Sequence, residues 1–289
     1  MNKIPVGKTI SYAYSFTFGH IGAIIGLIWL PLILMAVLRF LPHLAGSGMD
    51  STDQSPLVQG SQAIGNLAAS ALTLLLYAVM YVAVTRQALG LRQGTASVHF
   101  ALGMPEFRVF GALLLVVMVM LAFLGTLAGA VAVLAQVAGN TAPLAMLAIG
   151  VAVAGALAFV YVSTRLWFLV VPVTVIEERI NLGRGWTLTE SNFWRAFAVI
   201  LAVSLPIVII SVIGSAIIMG GDLAAPVPAA TAKNPILSLM LFVQIADRHL
   251  PATLFLDLIL APFNLGLSLS AAAFAYRALV QDAAAVRAA

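Results

Sequence analysis

Arg165 stands in a strongly apolar stretch, because LWFLVVPVTVI follows it before the next charge, Glu177. A guanidinium about two turns inside the end of a lipid-embedded helix must snorkel to the interface, bind a lipid phosphate or meet a carboxylate. Glu177, Glu178 and Glu190 are the carboxylates near it in sequence, so a tie between helices and an anionic headgroup site are both open. Arg195 follows Phe193 and Trp194 at the head of another apolar run, and Trp186 precedes them. Indole rings favour headgroup depth and basic groups reach phosphate there. Arg165, Arg195, Trp194 and Trp186 are therefore the candidate contacts for a lipid headgroup or other anionic ligand.

Two polar residues, Asp257 and Asn264, form an intramembrane pair, and with Ser268 they recur at i, i+7 and i+11 on one helix face. Asn264 precedes Arg277 by about 13 residues, or roughly 20 Å of helical rise, which places it near mid-membrane. Such a side chain serves either interhelical hydrogen bonding, worth about 0.6 kcal/mol, or the wall of a polar cavity. Pro262 and Gly266 flank Asn264, and a helix loosened at the midplane is an element that transporters use. Adjacent residues on a helix point apart, so Glu177 and Glu178 read as a solvated turn. His20, His43, His99 and His249 are scattered without a metal-binding spacing, and cysteine is absent. The chain shows no phosphate-cradling loop, nucleophile elbow or triad. Neither a catalytic residue nor a cofactor nor a metal is expected.

The elements that must carry these residues follow from composition. Hydrophobic residues make up 62% and charged residues 8%, against about 45–50% and about 25% in soluble domains. Six uncharged runs, 21–38, 63–85, 109–138, 142–164, 196–221 and 258–276, reach or exceed the length of about 17–25 residues that crosses a hydrocarbon core. They lack the period-two alternation of barrel strands, and a lipid-exposed backbone must otherwise be satisfied within helices. The expected fold is all-α, a polytopic membrane protein with six transmembrane helices. Eleven of the fourteen lysines and arginines fall in the amino-terminal and even-numbered connections or the carboxyl tail, and only Arg39, Lys233 and Arg248 in the others. The positive-inside bias then makes both termini cytoplasmic. The net charge of +4 suits anionic lipids on that face, and without a basic soluble domain nucleic acid is not a partner. The amino terminus does not resemble a cleavable signal peptide.

His20, Arg108 and Arg195 open the odd runs with aromatic neighbours, while Arg86, Arg165 and Arg277 close the even ones. This period near 88 predicts three pseudo-repeated hairpins, at approximately 1–92, 93–175 and 176–289, within one integral membrane domain. Before each odd run lies a polar-aromatic segment too short to span: VGKTISYAYSFTF, TASVHFALGMPEF and NLGRGWTLTESNFW. These predict cytoplasmic amphipathic elbow helices, with Tyr12, Tyr14, Phe16, Trp186, Phe193 and Trp194 at headgroup depth and Lys8, Arg184 and Arg195 reaching phosphates. Of the far-side connections, 45–62 reads as a flexible loop and 139–141 as a tight turn. The third, 221–253, contains an apolar stretch too short to span, which predicts a segment on or dipping into the outer leaflet. Gly125 with Gly129, and Gly150 with Ala154, predict close helix packing.

The stretch TRLWFLVVPVTVIEERINLGRGWTLTESNFWRAFAVIL, residues 164–201, resembles a signature of the bacterial glycerophosphoryl diester phosphodiesterase membrane-domain family and its six-span relatives. The positions that carry the likeness are Arg165, Pro172, Trp186, Asn192, Phe193, Trp194 and Arg195. The resemblance implies a bacterial inner-membrane protein. It does not extend to phosphodiesterase activity, because the H-R-G and E-x-D motifs of the catalytic barrel are missing. The expected function is non-enzymatic: binding or moving lipids or other amphipathic molecules. The alternatives are a scaffold or assembly subunit that docks a membrane-protein partner through loop 221–253, and an intramembrane enzyme acting on lipid headgroups.

Overall fold

The computed structural model describes residues 3–46, 56–91, 101–138, 141–223 and 235–288. Among them are nine helices and no strand: α1 (Val6–Gly19), α2 (Ile21–Gly46), α3 (Pro56–Ala88), α4 (Met104–Ala138), α5 (Ala142–Glu177), α6 (Leu182–Thr189), α7 (Phe193–Leu223), α8 (Pro235–Arg248) and α9 (Leu250–Ala288). Six of these, α2, α3, α4, α5, α7 and α9, are long and apolar enough to span a membrane. The all-α six-span reading therefore holds. Successive spans lie against one another, α2 on α3, α3 on α4, α4 on α5 and α7 on α9.

The spans are unequal in their surroundings. In α9, 61% of the most apolar 18-residue window is buried, against 6% in α5, which makes α9 the central post. Leu265, Leu269 and Ala273 face a core shared with α2, α3 and α4. Leu267, Ala271, Ala275 and Tyr276 face a second core built with α1, α5 and α7. A helix apolar all round is what such a position requires, and its alanines let neighbouring backbones approach.

One end of the bundle gathers the basic residues. Helix α3 stops there at Gly90, whose φ of 63° is a left-handed conformation that glycine adopts without a Cβ clash. Gly90 N donates to Gln87 O and Leu91 N to Arg86 O, the double bond of a Schellman ending. The remaining carbonyls are met by side chains, Ala88 O by the Tyr12 hydroxyl at 2.7 Å and Leu89 O by the Arg277 guanidinium. At the same end Glu177, 15% exposed, accepts from Arg179, Arg184 and the Tyr276 hydroxyl. Glu178, left-handed at φ 51°, closes α5 and pairs with Arg108 at 3.5 Å. The two carboxylates do diverge, but Glu177 is a hub joining α5, α6 and α9 and not part of a solvated turn.

Several other expectations change. The elbow α1 is a separate helix before the first span, yet its rings turn into protein. Tyr12 stacks on Phe274 and Tyr14 donates to Ala202 O, while Phe18 touches Phe263 but stays exposed. Helix α1 thus runs along α9 to Gly266, about 16 Å below the Arg277 level by helical rise. Residues 95–100 of the second elbow and the turn at 139–140 lie outside the described residues, and the rest of that elbow leads directly into α4 at Met104. The first far-side loop is shorter than expected, since α3 already starts at Pro56, a residue suited to a first helical turn. The short apolar stretch of the third connection forms α8, and its end is held where Asp222 meets His249 at 3.3 Å and Arg248 at 3.9 Å. The close-packing reading of the small residues fails: a Cβ on Gly125, Gly129 or Gly150 would meet nothing within 4 Å. The tight approach of α4 and α5 occurs instead at Gly155, where a Cβ would lie 2.2 Å from Leu127 Cδ1.

Candidate functional site

The four residues expected at the headgroup layer do not form one open site. Arg165 is 4% exposed. It donates to Tyr161 Oη and Trp186 O at 2.7 Å each and to Thr189 Oγ1 at 3.5 Å. Its guanidinium lies 3.8 Å from the centroid of the Trp186 ring and 5.4 Å from that of Tyr161. The cation is therefore held by neutral oxygens and ring faces, and no described carboxylate pairs with it. Trp186 reaches Arg165 because Asn181 caps α6, accepting from Arg184 N at 3.0 Å, and this sets the short helix against α5.

From Trp186 a run of rings passes through Tyr161 and Phe193 to Trp194, which is 75% exposed. Arg195 is occupied elsewhere. Its Nη1 donates to Ile4 O at 3.0 Å while Asn192 Oδ1 accepts from Ile4 N at 3.0 Å. Asn192 and Arg195 thus grip both backbone groups of one residue, from i and i+3 positions that share a helix face. Arg165 is committed to the protein itself, whereas Arg195 spends one nitrogen on Ile4 O and stays exposed.

The second constellation comes together as a cleft. Asp257 and Asn264 line a cavity of about 200 Å³ with Arg39, Tyr77 and Ser211. Asn264 also lines a second cavity, of about 250 Å³, with Tyr81, Trp167, Ser204 and Ser268. The two share Asn264 and Leu265, so their polar residues on α9, set among largely apolar walls, extend from Asp257 to Ser268, about 16 Å at 1.5 Å per residue. Roughly half of a hydrocarbon core is covered by that length. The Ser268 hydroxyl lies 3.5 Å from Asn264 Oδ1, and Asn264 itself is exposed although its helix neighbour Leu265 is buried.

Helix α5 explains the opening. Its buried residues run from Thr164 to Val175, with only Ala148 beyond them among those described. Near the basic end its Phe168 and Val171 line the second cavity together with residues of α3 and α7. Farther along it leaves α9, and the gap between α3 and α7 stays open. At the far end Arg39 Nη1 stands 3.5 Å from Asp257 Oδ2, with side chains 47% and 57% exposed. The wall on α3 continues beyond them: Asn66, Ser70, Thr73 and Tyr77 line a further cavity with Arg39.

Arg39, Tyr77, Tyr81, Ser204 and Ser211 were not singled out from the sequence. The signal was present on α3, where Asn66, Ser70, Thr73, Tyr77 and Tyr81 step by three or four through an apolar run, one polar stripe at helical period. The midplane loosening expected around Pro262 is not seen, since α9 is helical throughout. Pro262 nonetheless lacks the N–H that would bond the carbonyl of Leu258, a residue at the cleft wall. Comparison of the chain with family models, curated proteins and solved structures finds no match.

Proposed function

We propose that this multi-pass membrane protein binds an amphipathic molecule, a lipid or one shaped like it, in the cleft along α9. One observation carries the reading: two adjoining cavities of about 200 and 250 Å³, with Arg39, Asp257, Asn264, Ser204 and Ser268 set among largely apolar walls, lie inside the spanning region. Polar side chains in lipid are costly unless they meet partners or line a filled cavity. Here Tyr81, Ser204, Asn264 and Ser268 face one another across space. An amphipathic guest lays its polar part against the polar side chains of these two cavities, Arg39 and Asp257 included, and leaves its tails in the bilayer. The Arg39 and Asp257 end of the cleft lies on the side away from the basic residues. The positive-inside bias supports the basic end as cytoplasmic, in a bacterial inner membrane, which makes that side the outer leaflet.

The test is retention of lipid after exhaustive detergent exchange, counted by native mass spectrometry. Ser204→Trp or Ser211→Trp, which fill the cleft, should expel the retained lipid. Val212→Trp, on the exposed face of the same helix, should not. Equal retention in all three would refute the reading. Orientation is checked with single cysteines in this cysteine-free chain: Arg179→Cys and Arg248→Cys should label from opposite sides.

A further inference from the structure

We infer that the guest of the cleft is a zwitterionic glycerophospholipid with a primary-ammonium head, its phosphate on Arg39 and its ammonium on Asp257. The inference rests on the reading of the cleft as a lipid site and adds what the mouth selects. Arg39 and Asp257 touch through one pair of atoms, Nη1 and Oδ2, at 3.5 Å, a long contact for a charged pair. The other edge of the guanidinium and the Oδ1 oxygen have no partner among the described residues. A guanidinium edge matches two phosphate oxygens, and a carboxylate oxygen accepts from an ammonium.

The mouth carries one charge of each sign a few ångströms apart, so its complement is neutral overall with its charges separated. A purely anionic head would bring phosphate to Arg39 and also into repulsion with Asp257, with no cation to offset it. Repulsion between like charges a few ångströms apart, weakened but not abolished by the half exposure of the mouth, disfavours that head. A quaternary ammonium is held by the faces of several aromatic rings. The cavity at the mouth contains one ring, Tyr77, whereas a primary ammonium needs only acceptors such as Asp257 and Asn264.

The tail also has a place. An apolar groove of about 370 Å³ lies between α2 and α9, walled by Trp29, Ile33, Ile259 and Phe263. Leu32 and Leu258 line both this groove and the mouth cavity. A lipid whose head sits on Arg39 can therefore lay one acyl chain across Leu32 and Leu258 into the groove.

The experiment is competition for the delipidated protein between phosphatidylethanolamine and phosphatidylglycerol of identical chains in neutral detergent, read by native mass spectrometry. The wild type should prefer the ethanolamine lipid by about tenfold, a difference of about 1.4 kcal/mol. Asp257→Asn should reverse the order, and Arg39→Gln should weaken both. Equal binding of the two lipids by the wild type overturns the inference, with no variant needed, and so does an unchanged preference in Asp257→Asn. If the wild type retains lipid that Ser211→Trp expels but shows no headgroup preference, the cleft reading stands and the zwitterion falls. If Ser211→Trp retains as much as the wild type, both fall.

Discussion

Gly266 is the point at which the α1–α2 bend is braced against α9, and adding one methyl group there tests the brace. A Cβ on Gly266 would stand 2.7 Å from Thr17 Cγ2, 3.0 Å from Thr17 Oγ1 and 3.0 Å from Ile24 Cδ1. Thr17 and Ile24 are both fully buried, so close packing leaves neither an empty space to swing into. Overpacking of this kind costs about 1–3 kcal/mol. Against it, alanine is favoured over glycine inside a helix by about 1 kcal/mol. Gly266→Ala should therefore destabilise the protein by up to about 2 kcal/mol, the difference of those two ranges.

Truncating Thr17 inverts the sign. Thr17→Ala removes both threonine atoms from the contact and deletes a buried hydroxyl that has no hydrogen-bond partner. In that background Gly266→Ala should stabilise by up to about 1 kcal/mol, leaving a coupling of about 1–3 kcal/mol in the double-mutant cycle. The assay is SDS-driven unfolding in mixed micelles, followed by tryptophan fluorescence. Should Gly266→Ala shift stability equally, in sign and size, with Thr17 or with alanine at position 17, the two helices do not meet at Gly266 as described. The consequence for the cleft is direct, because Asn264 lies two residues away on the same helix.

Two further predictions concern the arginines. Arg165→Lys keeps the charge but loses the ring stacking and one of two short bonds. A charge-assisted bond contributes about 1.5–3 kcal/mol and a desolvated cation–π contact about 2 kcal/mol, so SDS unfolding should show a loss of several kcal/mol with co-purified lipid unchanged. Asn192→Ala leaves the Ile4 N–H without its acceptor, at about 1–3 kcal/mol; hydrogen exchange at residues 4–10 should accelerate while α9 stays protected. Unchanged exchange there would mean that the grip on Ile4 does not anchor α1.

Much of the architecture is legible in the sequence because lipid leaves few alternatives. Uninterrupted apolar runs bounded by Arg86, Arg108, Arg165, Arg195 and Arg277 can only be spanning helices with those ends at one face. What each polar group touches is a different matter. The Tyr12 hydroxyl bonds a carbonyl 76 residues away and the Tyr14 hydroxyl one 188 residues away. Residue type marks such a ring as amphipathic and says nothing of which surface receives its polar tip. The small residues mislead for a related reason: Gly125 and Gly129 lie on one face by spacing, but only the arrangement of neighbours decides whether that face is covered, and Gly155 with Leu127 is where α4 and α5 close. The Asp257–Asn264 spacing does locate the cleft wall. Its opposite wall was readable on α3 as a stripe, and Arg39 was readable only as a far-side charge.

Arg165 and Arg39 show why the more conspicuous arginine is the poorer ligand site. Arg165 is deep, stacked and doubly bonded at 2.7 Å, so a phosphate would have to break good contacts and enter a space already filled by Trp186. Its desolvation is already compensated by those contacts, and removing any of them exposes the cost of a buried charge. Arg39 is half exposed and holds Asp257 through one long contact, which an incoming head can replace with shorter ones at little loss. Binding requires that the new contacts exceed the old ones plus the cost of ordering the guest. Arg39 and Asp257 begin from a state weak enough for that difference to favour a ligand, whereas Arg165 does not, and this supports the proposal of recognition at the far end of α9.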